Sequence, residues 1–323
     1  MTRPLRIVFL GSSEFAVASL QALFGSVHQV AAVITAPDKP ASRGLKLRTT
    51  AVKDYALKHN IPLMQPVRLK DPVFLEQLRK IAADLHVVVA FRMLPEEVWG
   101  MPPLGTINLH ASLLPQYRGA APVNWAIING EKKTGVTTFR INRDIDTGDI
   151  FMQQSVDIAE SDDAGTLHDK LMAVGAELLV KTTDALSDGT IKPVKQEPKP
   201  LADLKPAPKI FRETCRIDWT RPAPDINNFI RGLSPYPGAW TEMQSGSEQA
   251  PVKTVLKIFK CGVAPQTGIA PGELMIRGDE LFISCRNAAL KITELQQEGR
   301  KRMTAAEFLR GFQGVSTDRN MLQ

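Results

Sequence analysis

Asn108 and His110 stand two residues apart in Thr106 to Pro115, T-I-N-L-H-A-S-L-L-P, a run otherwise apolar enough to be a core strand. In a strand successive side chains alternate faces, so the amide and the imidazole share one face while Ile107 and Leu109 take the other. Both groups can donate hydrogen bonds, and two donors aimed at one point can hold the negative charge that develops on an attacked carbonyl oxygen. The plainer reading is a pair of hydrogen-bonded core residues. Position argues against it. His110 lies where the strand ends and the loop S-L-L-P-Q-Y-R-G begins, and open α/β sheets bind ligands outside the carboxyl ends of their strands.

A second polar cluster, Asp144-Ile145-Asp146-Thr147-Gly148-Asp149, departs from a calcium loop. Its glycine comes one place early, and Ser155 stands where a bidentate Glu is needed. It reads as an Asp/Gly turn between two strands, and such a turn can also hold a carboxylate over a site at the sheet's end.

Other chemistries lack their residues. The turn G-S-S-E-F-A after L-R-I-V-F-L has no second or third glycine for a pyrophosphate, which makes a nicotinamide-dependent dehydrogenase a weak reading. G-x-S-x-G and the P-loop are absent. Cys215, Cys261 and Cys285 form neither a C-x-x-C pair nor an even framework, and read as buried or incidental thiols in a reducing compartment. His28, His59 and His168 read as loop or helix-surface residues, and His86 as opening a strand. No metal is expected.

The elements that must position these residues follow from hydrophobic pattern. Residues 5–10 (LRIVFL), 30–35 (VAAVIT) and 85–91 (LHVVVAF) read as buried strands, and 14–24, 52–59 and 72–82 as helices between them. Near-continuous Val/Ile/Leu runs alternating with helices suit a parallel sheet covered on both faces. Strands at 136–141 and 150–156 and a helix at 165–187 follow. Then Lys192 to Lys209, KPVKQEPKPLADLKPAPK, carries five prolines and five lysines and reads as an extended basic linker. Beyond it, a helix at 226–231 and short strands at 254–259, 273–276, 281–285 and 290–295 suggest a small β-barrel or sandwich. A last helix, 305–312, has Thr304 as N-cap and Glu307 at the capping-box position.

The chain has 323 residues, enough for two domains, and a net charge of +6. Residues 1–190 hold 20 Lys+Arg and 20 Asp+Glu, whereas 191–323 hold 20 and 14, so the excess lies entirely in the C-terminal part. A polyanionic partner met there is one cause; a basic soluble surface is the commoner one. No apolar run reaches a membrane span or a signal peptide, and the expectation is a cytoplasmic protein.

N-L-H-A-S-L-L-P-Q-Y-R-G-A-A-P-V-N-W-A-I-I-N-G, with I-D-T-G-D after it, strongly resembles the methionyl-tRNA formyltransferases, which transfer formyl from 10-formyltetrahydrofolate to the methionine amino group of initiator methionyl-tRNA. The similarity extends to the opening strand-turn-helix, to T-A-P-D-K-P-A-S-R-G, to the Pro/Lys segment and to Q-E-G-R-K-R-M-T-A-A-E-F-L. The resemblance implies α/β architecture: a Rossmann-like formyltransferase domain with a mostly parallel sheet at 1–190, the linker at 191–209, and an OB-like, tRNA-binding β-barrel at 210–323. It implies Asn108, His110 and Asp146 as the catalytic triad and Ser112, Leu113, Leu114 and Pro115 as the motif lining the folate site. Arg92, Met93 and Leu94 match a folate loop, and Arg43, with Lys46 beside it, a loop entering the tRNA acceptor end. A monomer is expected.

Two departures stand out. Ala90-Phe91-Arg92-Met93-Leu94-Pro95 is one residue shorter than the family's A-Y-G-x-x-L-P and looks closer to the folate loop of glycinamide ribonucleotide transformylase. Ser42 and Leu45 replace the common Gly and Lys. Two other readings stay open: a formyltransferase for a small amine, for which a basic linker and second domain are superfluous, and a non-catalytic RNA-binding protein, which the intact N-x-H and D-T-G-D motifs disfavour.

Overall fold

The computed structural model describes residues 3–40, 47–196, 200–245, 252–265 and 268–311. The first part of the chain runs β1 (Arg6–Gly11), α1 (Glu14–Phe24), β2 (Gln29–Ile34), β3 (Lys39–Pro40), β4 (Leu47–Arg48), α2 (Ala51–Lys58), β5 (Leu63–Met64) and α3 (Pro72–Lys80). It continues through β6 (Leu85–Val89), α4 (Glu96–Trp99), β7 (Thr106–His110), α5 (Pro122–Ile128), β8 (Lys133–Arg140), β9 (Ile150–Asp157) and α6 (Ala164–Ser187). After two short 3-10 turns come α7 (Ala223–Leu233), β10 (Ala239–Ser245), β11 (Val252–Ala264), β12 (Leu274–Arg277), β13 (Glu280–Ser284), β14 (Ala289–Gln297), β15 (Met303–Thr304) and α8 (Ala305–Gly311).

Two compact units emerge. One comprises 1–119, 133–157 and 168–206; the other comprises 120–132, 158–167 and 207–323. The second unit therefore takes in two segments from the middle of the chain, which no change in composition marks.

The first unit is Rossmann-like, with a seven-stranded sheet ordered β5-β2-β1-β6-β7-β8-β9. The strands from β5 to β7 are parallel, and β8 and β9 run antiparallel to their neighbours. The chain leaves β1 for β2 and β5, then returns to β6 on the opposite side, which makes a topological switch point at β1/β6. Helix starts follow their caps: Ser13 accepts from the Ala16 N–H, Thr50 from the Lys53 N–H, and Asp71 from Val73 and Phe74 just ahead of Pro72. Val8, Leu10, Ala32, Ile34 and Val88 pack with Phe74 and Leu78 of α3. Removing one such large side chain from water contributes about 1.5–3 kcal/mol. Leu109 of β7 and Val136 of β8 lie close to Gly175 of α6, which fixes that face of β7 as apolar.

Two histidines behave differently from each other. His28 is buried, against the expectation of a loop or surface position: Nδ1 accepts the Leu5 N–H at 3.1 Å and Nε2 meets Asp184 at 3.0 Å. The Leu5 amide, at the mouth of β1, needs an acceptor, and the Asp184 partner is 156 residues away and invisible to local pattern. His86 opens β6 as expected and is buried, its Nδ1 donating to the Val98 carbonyl at 3.1 Å; burial pushes its pKa down to about 4 from an ordinary 6.5. As pH falls through this window the unfolded chain binds a proton that the folded chain excludes, so stability present above pH 6.5 is lost toward pH 4. From pH 7 to about pH 4.5 the expected loss of unfolding free energy in urea is about 2–3 kcal/mol from this group. His86→Gln keeps a donor toward Val98 and is expected to flatten that part of the profile; an unchanged slope would show that His86 titrates normally.

The second unit carries an antiparallel, OB-like sheet, ordered β10-β11-β14-β13-β12, with β15 on β14. Its core gathers Ile226 and Ile230 of α7, Leu256 and Ile258 of β11, Leu281 and Ile283 of β13, Leu290 and Ile292 of β14 and Phe308 of α8, together with Ile128 of α5. Asn124 donates to the Gly232 carbonyl and Trp125 to that of Pro208, which seats α5 in this unit. The capping box forms as expected: the Glu307 carboxylate takes the Thr304 N–H and Thr304 Oγ1 takes the Glu307 N–H. Residue 312, the expected end of that helix, lies outside the described residues.

Candidate active site

β7 is hydrogen-bonded on both sides, parallel to β6 and antiparallel to β8, so the orientation of its side chains is fixed by two ladders. With Leu109 turned toward α6, Asn108 and His110 face the opposite side. Asn108 pairs with Val88 and Phe139 through the backbone; its side-chain amide has no hydrogen-bond partner among the described residues and is half-buried. An amide so placed keeps its NH2 and its oxygen available to a ligand on that face of the strand.

His110 is held from two directions. Its Nε2 lies 2.8 Å from the carbonyl of Tyr117, which can only accept, so the ring carries its proton there. Its Nδ1 lies 3.8 Å from Asp146 Oδ2, with the two side chains 8% and 12% exposed. That separation is an ion-pair distance, longer than a hydrogen bond. Both partners sit in left-handed backbone, Tyr117 at φ 60° and Asp146 at φ 53°. For a buried tyrosine this conformation stores about 1–3 kcal/mol, the kind of strain that accumulates where geometry matters for function.

The loop after β7 is tied down residue by residue. Ser112 donates to the Gln116 carbonyl and is fully buried; the Leu114 N–H donates to Thr137 Oγ1 of β8, which in turn donates to the Ser112 carbonyl. Gln153 of β9 donates to the Leu114 carbonyl and to Thr137. Leu114 is buried, while Leu113 and Pro115 are half-buried, so this motif presents apolar surface and little polar chemistry of its own.

Arg92, Met93 and Leu94 follow β6, the strand beside β7, and share the carboxyl edge of the sheet with His110. The Arg92 guanidinium donates to the carbonyls of Pro66 and Val67 and lies 5.7 Å from the Phe91 ring centre, fastening its own loop. Met93 is 72% exposed, whereas Leu94 is buried in the core beside Phe74 and Val98. Arg43 and Lys46 lie outside the described residues, as do Ser42 and Leu45. The stem below them is described: Lys39 pairs with Arg48 across β3 and β4, and Lys53 binds Asp38 at 2.5 Å, which holds the Asp38 carboxyl below its ordinary pKa.

The Asp146 loop is built around its own backbone. Asn142 Oδ1 accepts from the Asp144 N–H and the Thr147 hydroxyl. At Gly148 an added Cβ would come within 1.7 Å of the Arg140 carbonyl oxygen, so only glycine fits. Asp146 Oδ2 accepts the Gly119 N–H at 2.9 Å, which aims the carboxylate toward His110.

Sequence pattern alone did not point to the Tyr117 carbonyl, the Gly119 amide or Gln196, whose side chain donates to the carbonyls of Asp146 and Gly148. The first two are backbone atoms, and Gln196 sits in the Pro/Lys segment whose composition marks it as a linker. That segment is anchored. Val194 and Ile150 exchange backbone hydrogen bonds of 2.7 and 2.8 Å, and the Lys205 carbonyl takes the Tyr117 N–H.

Residues 5–183 match the family described as formyl transferase, and residues 209–313 match the formyl transferase C-terminal domain. The chain is 50% identical over 311 residues to a methionyl-tRNA formyltransferase of Bacteroides fragilis, covering 95% of each. Among solved structures, a sugar 3N-formyl transferase with dTDP and 5-N-formyl-THF superposes with a TM-score of 0.63 at 20% identity, over 93% of this chain and all of that one. HypX from Aquifex aeolicus in complex with tetrahydrofolic acid gives 0.58 at 19% identity, over 95% of this chain and 47% of that longer one. These likenesses carry the fold alone. The full-length identity carries more: the chain belongs to the formyl transferase family, among the methionyl-tRNA formyltransferases.

Proposed function

We propose that the protein transfers the formyl group of 10-formyltetrahydrofolate to the amino group of methionine on initiator methionyl-tRNA, for translation initiation, with Asn108, His110 and Asp146 as its catalytic residues. The observation that carries this reading is the pairing of an unengaged Asn108 amide with a His110 ring clamped between the Tyr117 carbonyl and Asp146. An unpaired NH2 and an imidazole edge on one strand face suit a carbonyl oxygen that gains charge as an amine adds to its carbon.

Asn108 donates through Nδ2 as that charge develops. His110 has its Nε2 proton engaged at Tyr117, so it is the Nδ1 edge that turns to the oxyanion, with the Asp146 carboxylate 3.8 Å from that nitrogen. The proton lost by the attacking amine passes through Asp146, or a water held by it, to the departing folate nitrogen. Ser112 to Pro115 and Arg92 to Leu94 form the walls of the folate site.

In this reading residues 1–190 carry the transfer, 191–209 join the halves, and 210–323 hold tRNA, with Arg43 and Lys46 contacting its acceptor end. The protein acts as a cytoplasmic monomer and takes no metal. No described helix is long and apolar enough to cross a membrane.

The test is formyl transfer from 10-formyltetrahydrofolate to charged initiator tRNA, beside a small amine acceptor. Transfer to the small amine in preference to the tRNA would overturn the reading. Arg43→Ala is expected to raise KM for the charged tRNA and leave folate affinity unchanged; an unaltered KM removes Arg43 from the interface. Removing a cation that neutralises a tRNA phosphate also flattens the salt dependence of tRNA binding.

A further inference from the structure

We propose that Gln196, in the segment that joins the two halves of the chain, is a positioning residue for formyl transfer: it holds the Asp146 backbone so that the carboxylate stays beside His110. The proposal rests on the reading of Asp146 given above.

Asp146 is held at both ends. Its carboxylate accepts the Gly119 N–H at 2.9 Å, and its carbonyl accepts from Gln196 Nε2, also at 2.9 Å. The same Nε2 donates to the Gly148 carbonyl at 2.8 Å, so both amide hydrogens are used. Gln196 Oε1 accepts from Arg118 at 2.6 Å, and Arg118 precedes Gly119 in the chain. A closed ring results: Gly119 to the Asp146 carboxylate, Asp146 carbonyl to Gln196, Gln196 to Arg118, and Arg118 back to Gly119.

The chemistry of the ring admits one orientation of the amide. Turned over, Gln196 would set an oxygen against two carbonyl oxygens and an NH2 against a guanidinium. The residue is delivered to this place by the backbone exchange between Val194 and Ile150, two residues upstream. What it restrains is a loop that would otherwise relax, since Asp146 holds φ 53° and an unpaired carbonyl on either side would be free to turn toward water. The carboxylate stands 3.8 Å from Nδ1, and each added ångström weakens its action on the ring.

The experiment uses the full chain. Gln196→Ala removes both donors and the acceptor. Gln196→Glu keeps length, volume and the Arg118 contact, replaces both donors by an oxygen set against the two carbonyls and adds a charge, so it breaks the same restraint and remains informative if the alanine variant folds poorly. Each is made alone and with Asp146→Asn, and kcat and both KM values are measured beside thermal melting. The expected result for either single change is a fall in kcat of about 10-fold to 10²-fold with KM for folate and for charged tRNA unchanged. Combined with Asp146→Asn, neither change lowers kcat further, because Gln196 acts through Asp146.

A wild-type kcat in both Gln196 variants, with Asp146→Asn impaired, overturns the positioning role and leaves the proposed function standing. Losses that multiply in the double variants overturn it too, since they place Gln196 on a separate route. Full turnover in Asp146→Asn alone removes Asp146 from the chemistry and the role of Gln196 with it.

Discussion

Asn108→Ala is expected to lower kcat by about 10²–10³-fold, the scale of losing one donor to a developing oxyanion. The backbone of β7 is hydrogen-bonded to β6 and β8, so truncation leaves the strand in place, and the lost amide has no hydrogen-bond partner among the described residues that would be orphaned. The loss therefore falls on the transition state: kcat and kcat/KM drop together while KM holds for both substrates. Single-turnover formylation of charged tRNA, with circular dichroism to verify the fold, measures it. Turnover near wild type in a folded Asn108→Ala protein would remove the residue from the chemistry.

Asp146→Asn is expected to cost about 10²–10⁴-fold in kcat, the range for a group that moves or steadies a proton in the transition state. Asparagine suits this position well as a probe. It tolerates left-handed backbone, and its side-chain oxygen can still accept the Gly119 N–H, so the loop keeps its shape and only the charge is lost. Folate affinity, measured by equilibrium binding, is expected to stay at its wild-type value. Normal turnover would leave the carboxylate as a turn residue.

What the sequence made legible was whatever local pattern determines. The apolar runs of β1, β2, β6 and β7 are largely buried, and α1, α2 and α3 fall within a residue or two of their expected bounds, whereas the one-turn α4 between β6 and β7 is too short to carry a helical period. β10 escaped because Ala239, Thr241 and Met243 face inward against Trp240, Glu242 and Gln244, an alternation in which one buried member is a threonine. Thr241 is satisfied there by the Trp219 indole N–H at 3.1 Å, a partner from another element. β11 runs from Val252 to Ala264, well past the expected 254–259, because its register shifts at Ile258 to Cys261 and carries pairing through Lys260 and Gly262.

At the site, the N-x-H spacing put Asn108 and His110 on one strand face and the Asp/Gly turn offered a carboxylate near it, while the family resemblance singled out Asp146 among the three aspartates of that turn. The two atoms that fix His110, a left-handed tyrosine carbonyl and a carboxylate oriented by a glycine amide, depend on where the chain returns in space, and no one-dimensional pattern encodes that. His28 illustrates the same limit away from the site, since its position at the mouth of β1 is settled by an aspartate late in α6.

The seating of α5 against α7 has a consequence for synthesis. α5 leaves the ribosome first, and roughly 95 residues of chain separate Ile128 from Ala223, where its partner helix begins. At about 5–20 residues per second the nascent polypeptide carries Trp125 and Ile128 for on the order of ten seconds before their cover exists. During that interval the exposed helix is a target for chaperones and proteases, so the yield of folded protein is set in part by how fast the later half is made.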